Sequence, residues 1–327
     1  MSLPKSISML HFSYLLHIHI IQLPIPLLSK LLNLKRMQLR APNSNYWHKC
    51  QPYLRLVRAD APIGYWLLLW PCWLGIAISD ASTNSTPLFL FLFLIGALCM
   101  RSAGCIFNDI IDKDFDRNVP RTKNRPLASR EVSTARATLL MVLLCLGGFA
   151  VLTQLNKIAV LVGLSSLPLI IAYPFMKRIT WWPQLWLGLT FNWGALISCA
   201  AVEGRISAWS ISLYVGGIFW TLGYDTIYAH QDKLSDALIG VKSSALKLGS
   251  NSKLGIAVAY VISLSALYVS ATLANLSWPS FLGLCLGSLH LLWQVYVVNL
   301  DEPESCLRIF KSNHIFAAIL FAGFIAG

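Results

Sequence analysis

Asn108-Asp109-Ile110-Ile111-Asp112-Lys113-Asp114-Phe115-Asp116 sets four carboxylates into nine residues at the end of a long apolar run. A second set, Asp225, Asp232 and Asp236, closes another apolar run. With Glu131, the two stretches hold eight of the fourteen acids in the chain. Ionised groups beside hydrocarbon are costly and are kept where they perform a function. The two sets therefore decide both the fold class and where chemistry is expected.

The apolar runs dominate the rest of the 327 residues. The chain is 56% hydrophobic and 12% charged, with mean hydropathy +0.61, whereas an ordinary soluble domain carries about 25% charged residues. A spanning helix needs about 20 largely apolar residues, and the polar breaks delimit nine candidates near 62–79, 88–108, 135–153, 157–175, 182–201, 207–228, 252–273, 276–299 and 312–327. The expected fold is all-α: a polytopic membrane bundle of about nine helices around a central cavity, with the lipid bilayer as its first partner.

Lys and Arg number 26 against 14 acids, a net charge of +12. No nucleic-acid motif accompanies that charge, so no nucleic-acid partner is expected, and the distribution follows the positive-inside rule. The loops after the second, fourth, sixth and eighth candidates carry basic residues from Lys113 to Arg136, Lys177 and Arg178, Lys233 to Lys253, and Arg308 and Lys311. The opposite loops carry Lys157 and Arg205. Both acidic sets thus fall on the basic side, which is the cytoplasmic or matrix side under that rule. The eight cysteines form no CxxC pair and lie mostly inside apolar runs, so neither a disulfide nor a cysteine metal site is expected. Ten tryptophans, among them Trp66, Trp70, Trp73, Trp181, Trp220, Trp278 and Trp293, read as an interfacial aromatic belt.

Before Asp60 the chain has no acid. Residues 1–45 mix Lys5, Lys30, Lys35, Arg36 and Arg40 with an apolar run broken by Pro24 and Pro26, and read as a leader or presequence outside the fold. Met37 offers an alternative start, and 46–327 forms the membrane domain. The membrane is then the bacterial inner membrane, or the mitochondrial inner membrane if the leader is a presequence.

On a helix, residues four apart share a face. Asn108, Asp112 and Asp116 form one row with Asp109 beside it, and Asp225, Asp232 and Asp236 form a second at i, i+7 and i+11. Asp114 falls off the row and reads as a solvated cap. Facing rows of carboxylates repel unless cations lie between them, and oxygen-only ligands favour Mg²⁺ or Mn²⁺, which bridge carboxylates to substrate phosphates. Arg121, Lys123, Arg125, Lys177, Arg178, Lys233 and Lys242 follow the acids on the same side and can hold phosphate oxygens.

Arg101-Ser102-Ala103-Gly104-Cys105, the NDIIDKDFD string and the following RTKNRPL resemble the first signature of the UbiA family of intramembrane aromatic prenyltransferases; YDTIYAHQDKLSDALIGVKSSALKLG resembles its second. Arg58-Ala59-Asp60-Ala61-Pro62-Ile63-Gly64 and Tyr173-Pro174-Phe175-Met176-Lys177-Arg178 are further matches, and the likeness runs from about Tyr53 onward. These blocks are most similar to the branch of the family that acts on 4-hydroxybenzoate. The resemblance implies a cavity open to the basic side and, laterally, to lipid. Within it Asn108, Asp109, Asp112, Asp116, Asp225, Asp232 and Asp236 would hold Mg²⁺ against a polyprenyl diphosphate, with Tyr173 among the substrate-binding residues. Asp112, Asp116, Asp232, Asp236 and Arg58 are the expected catalytic residues, Arg58 taking the acceptor carboxylate. The implied reaction prenylates 4-hydroxybenzoate at its 3-position in ubiquinone biosynthesis, alongside other enzymes of that route. A sister reaction on haem, homogentisate or a naphthoate shares the acid motifs, and a cation-coupled transporter is the alternative from another class. The family commonly reads Asp-Lys-Glu-Asp-Asp in the second motif, where this chain has Asp232-Lys233-Leu234-Ser235-Asp236.

Overall fold

The computed structural model describes residues 44–79, 86–119 and 121–327, the side chains of 44–48 excepted. The expected leader and the alternative start at Met37 lie outside the described residues, save Ser44 and Asn45. The chain divides into two units, Met1–Gln51 and Pro52–Gly327. The described part of the first is the opening of helix α1 (Ser44–Leu56), and the second holds all the other helices.

All regular structure among the described residues is helical. In chain order α2 is Ile63–Ile78, α3 Thr86–Asp116, α4 Thr134–Leu152, α5 Lys157–Ser165, α6 Leu167–Ile179, α7 Pro183–Phe191 and α8 Gly194–Glu203. Then come α9 (Ala208–Ala229), α10 (Lys233–Ile239), α11 (Ser244–Leu248), α12 (Ser252–Leu273), α13 (Trp278–Val297) and α14 (Pro303–Ala326). Among the described residues, seven stretches are long and apolar enough to cross a membrane: Thr86–Asp116, Thr134–Leu152, Lys157–Ile179, Pro183–Glu203, Ser244–Leu273, Trp278–Val297 and Pro303–Ala326. The protein is a multi-pass membrane protein. Of the nine expected spans, α2 falls short at 16 residues. The other exception, α9, is 22 residues long but is interrupted by Ser, Tyr, Thr and Asp225.

Several boundaries differ from the sequence reading, each for a local reason. Helix α3 does not stop at 108 but runs 31 residues to Asp116, so the first acid row rides on a continuous helix. The fourth span breaks at Ser166, where Pro168 enters the first turn of α6, and the fifth breaks at Asn192 and Trp193. The last span begins at Pro303 rather than 312: proline at the first turn and Glu304 beside it start a helix where acids had read as loop. The second acid row is not one helix. Helix α9 ends at Ala229, a 3₁₀ turn covers His230–Asp232, and α10 runs to Gly240, whose φ of 73° reverses the chain.

Packing follows composition. Helix α4 leans on α3 and turns Leu139, Leu143, Leu146 and Phe149 outward, which fits a lipid-facing stripe. The densest core joins α2, α8, α9, α12, α13 and α14. Trp70 and Trp220 belong to that core, at 7% and 2% exposure, so they leave the expected interfacial belt. Trp66, Trp70 and Trp73 instead form a stack along α2 against Phe321 of α14. Lipid tails give helices no hydrophobic reason to associate, so close packing and interhelical hydrogen bonds carry the assembly, each bond contributing about 0.6 kcal/mol. Ser263 Oγ donates to Gly216 O at 2.7 Å, Ser270 Oγ to Trp209 O at 2.8 Å, Tyr260 Oη to Gln294 Oε1 at 2.6 Å and Trp220 Nε1 to Asn313 Oδ1 at 2.8 Å. Gly188 lets α7 approach α9: a Cβ there would stand 2.8 Å from the Ile218 carbonyl oxygen.

Candidate active site

The two acid sets line one cavity of about 230 Å³. Helix α3 contributes Asn108, Asp112 and Asp116 at four-residue spacing, and the loop behind it contributes Arg121, Thr122 and Arg125. Tyr173 and Lys177 come from the last turns of α6, Gln184 from α7, and Asp225 and Tyr228 from the end of α9. Asp232, Ser235, Asp236 and Lys242 close the wall from the turn, α10 and the segment after it. The helix break at His230 thus folds the second set back onto the first.

Each motif acid on α3 is matched by a base. Lys177 Nζ contacts Asp112 Oδ2 and Arg178 Nη2 reaches Asp112 Oδ1 at 3.2 Å. Arg125 Nη1 lies 2.9 Å from Asp116 Oδ2 and 3.2 Å from Asp109 Oδ1. Across the cavity Arg121 Nη2 pairs with Asp232 Oδ2 at 2.5 Å, while its Nη1 donates to Tyr228 Oη at 3.1 Å. Loop 117–133 is held in place for this: Thr122 Oγ1 donates to Asp116 O, and Leu127 and Val132 bury against Leu56 and Ile106. Asp225 and Asp236 make no ion pair among the described residues. Burial raises the Asp236 carboxyl to about 6, the Asp232 charge adding to it and Lys177 and Arg121 opposing. Asp232 is also raised by burial, against the pull of Arg121 and Arg125.

The lining sets five carboxylates (Asp112, Asp116, Asp225, Asp232, Asp236) against four bases (Arg121, Arg125, Lys177, Lys242), so it holds no surplus of positive charge for a polyanion. Unit charges a few Å apart in such a site interact by several kcal/mol. A hard divalent cation suits these oxygen donors. Among the described residues no three acidic, His or Cys side chains are gathered around one point as a complete metal cage. Mg²⁺ generally takes one or two carboxylates and completes its shell with substrate phosphates and water.

Four expected site residues lie elsewhere. Arg58 and Asp109 do not line the cavity. Arg58 Nη2 donates to both Asp109 oxygens, at 2.7 and 2.9 Å, and its Nη1 to Arg55 O at 3.0 Å. Asp109 is 1% exposed, and Arg58 takes a left-handed φ of 65°, a conformation costly for a non-glycine residue. The pair ties the segment before α2 to α3. Lys123 and Lys233 also stand off the lining. Arg178 reaches the site only through Asp112 and stacks over Phe115 at 4.7 Å.

The residue that the sequence reading passed over is Arg101, two turns before Asn108 on α3. Among the described residues no hydrogen bond or ion pair satisfies it; its guanidinium lies over the Phe191 ring at 5.2 Å. It also occupies the space that a Cβ on Gly64 would need, 2.5 Å from Arg101 Nε. Its charge reaches Tyr173, Asp225 and Tyr228, which line the polar cavity, although Arg101 itself is not part of that lining.

A second cavity of about 460 Å³ follows the same helices away from the acids. Met100 on α3 lies two turns from Asn108, Ile170 on α6 lies one turn from Tyr173, and Thr190 lies on α7, the helix that gives Gln184 to the polar cavity. The remaining wall is almost wholly apolar, with Leu146 and Phe149 of α4, Leu164 of α5 and Leu167 of α6 also exposed on the outer surface.

The family model for the UbiA prenyltransferase family matches residues 68–320. The chain is 46% identical over 279 residues to the 4-hydroxybenzoate polyprenyltransferase, mitochondrial, of Aedes aegypti, covering 84% of this chain and 63% of that protein. It is 44% identical over 278 residues to the Caenorhabditis elegans protein of the same name, covering 84% of this chain and 78% of that one. In structure it is similar to a UbiA homolog from Archaeoglobus fulgidus bound to DMAPP and Mg²⁺, with TM-score 0.63 and 16% identity over 84% of this chain and 98% of that chain.

Proposed function

The chain belongs to the UbiA prenyltransferase family, and on that premise we propose that it transfers a polyprenyl group from polyprenyl diphosphate to the 3-position of 4-hydroxybenzoate. The observation that carries this reading is the stacking of one polar, aspartate-lined cavity on one apolar cavity along α3, α6 and α7. A diphosphate with an isoprenoid tail has that same division. The names of the insect and nematode relatives supply the acceptor.

The diphosphate sits between the acid sets, its oxygens held by Arg121, Arg125, Lys177 and Lys242. Asn108, Asp112 and Asp116 on one side and Asp225, Asp232 and Asp236 on the other would hold Mg²⁺, one or two carboxylates to each ion, and the metal would supply electrophilic stabilisation of the departing diphosphate. Arg121, Arg125 and Lys177 are pre-set by their ion pairs and Lys242 by its bond to Ile179 O, so they meet the developing charge without large rearrangement. The tail extends into the apolar cavity, which faces lipid between α4 and α6. The allylic C–O bond breaks with its electron pair on the diphosphate, the ring carbon ortho to the phenol attacks the allylic carbon, and loss of the ring proton restores aromaticity. Arg101 takes the acceptor carboxylate. An unpaired guanidinium offers the two-point geometry that a carboxylate matches, whereas Arg58 is already committed to Asp109. Asp109 then serves to hold Arg58 and Arg125 in position.

The mitochondrial label of the relatives favours the mitochondrial inner membrane, with residues 1–45 as address and the acid-lined mouth facing the matrix. Membranes containing the protein, given a polyprenyl diphosphate, Mg²⁺ and labelled 4-hydroxybenzoate, homogentisate or a naphthoate in parallel, should yield a lipid-soluble labelled product from 4-hydroxybenzoate. Preference for another acceptor would transfer the reading to a sister reaction, and transport of a cation without product would overturn it.

A further inference from the structure

Helix α10 has two unlike faces. Ser235, Asp236 and Ile239 line the polar cavity. Leu234 and Leu238, four residues apart on the opposite side, are 83% and 89% exposed, the two most exposed leucines among the described residues. The helix is moored to the end of a membrane span. Lys242 N donates to Lys177 O at 2.9 Å and Lys242 Nζ to Ile179 O at 3.0 Å, while the same ammonium lies 5.8 Å from the Trp181 ring centre. Ile179 and Trp181 are themselves 64% and 42% exposed. An exposed Ile and Trp beside a Lys at the end of a span mark the depth of the lipid headgroups.

We propose that α10 is a lid resting on the bilayer: Leu234 and Leu238 seat in the interfacial region of the lipid, and this contact holds Asp236 over the polar cavity. The occupant of the leucine face is lipid because the mooring at Lys242 sets the helix at the edge of the bilayer. Lys233, the first residue of the helix and the neighbour of Leu234, suits anionic headgroups. Long apolar side chains with basic neighbours are the composition of a helix that lies in the membrane plane. The seat is independent of the reaction; its effect on Asp236 rests on the proposed function.

A fluorescent amino acid sensitive to polarity, introduced at 234 or 238 by codon suppression in the otherwise intact protein, tests the seat in nanodiscs of zwitterionic and anionic phospholipid. Both positions are exposed, so the fold tolerates the probe. The expected result is blue-shifted emission that acyl-brominated lipid quenches, at both positions. Emission typical of water with no quenching overturns the proposal. Blue-shifted emission in native membranes that brominated nanodiscs neither reproduce nor quench overturns it too, assigning the face to a protein partner. In the same nanodiscs Leu234→Asn with Leu238→Asn should raise KM for the donor severalfold and leave kcat within twofold; an unchanged KM would separate the lid from the active site. Quenching is read without turnover, so failure of the proposed reaction and failure of the seat are distinguishable.

Discussion

Two arginines, Arg58 and Arg101, share in the proposed function the work that Arg58 alone was expected to do. Arg101, with no ion pair among the described residues, lies two turns before Asn108 on α3 with its guanidinium over Phe191; Arg58 is locked to Asp109. Arg101→Gln should raise KM for 4-hydroxybenzoate by about 10- to 100-fold, the loss of one charged hydrogen-bonded contact of about 1.5–3 kcal/mol. Arg101→Lys should fall between, since it keeps the charge and loses the planar fork. Arg58→Gln should leave that KM within about twofold and lower stability by about 2 kcal/mol, less than the full cost of orphaning a buried acid because Arg125 still faces Asp109. Steady-state kinetics with thermal unfolding in one detergent distinguishes the two roles. Asp236 sets the pH response. Its carboxyl is raised by burial to about 6, so below that pH a metal must displace its proton. The half-saturating Mg²⁺ concentration should rise roughly tenfold per pH unit as pH falls below about 6 and level off above about 7. In Asp236→Asn that dependence should weaken, leaving the contribution of Asp232, whose carboxyl burial also raises, as measured by donor turnover against Mg²⁺ from pH 5 to 8.

Helices place these residues, and here the sequence was readable in part. The first acid row was legible because α3 carries the 3.6-residue period through Asp116 without a break. The second was legible as a set of acids but not as geometry: nothing in Ala229-His230-Gln231 signals the 3₁₀ turn that folds Asp232 and Asp236 back toward α3. Arg101 stands in a motif without signalling a role of its own, because its setting depends on α2 and α7, far away in sequence. The Arg58 pairing spans 51 residues and was invisible for the same reason. Close approach of α7 to α9 is the element-scale feature most open to test. Gly188→Ala should destabilise the protein by about 1–3 kcal/mol, because the added methyl meets the backbone of Ile218 rather than a side chain that can move. Thermal unfolding should report that loss while KM for the acceptor stays unchanged.

At the scale of the whole molecule, composition alone announced a multi-pass membrane protein, and the acids pointed to the cavity proposed here as the active site. What it could not announce is that the polar cavity and the apolar cavity share helices, since that depends on how α3, α6 and α7 are set side by side. The division of the donor between them requires both acid sets to act as one site for metal and diphosphate. The most direct measurement is binding of a non-reactive polyprenyl thiodiphosphate, with and without Mg²⁺, to the wild type, Asp112→Asn, Asp236→Asn and the double variant. We predict Mg²⁺-dependent binding in the wild type, its weakening about tenfold or more in each single variant, and a double variant little worse than either, with a coupling of about 1 kcal/mol or more between the two positions. Binding indifferent to Mg²⁺, or effects of the two substitutions that simply add, would contradict a single shared site.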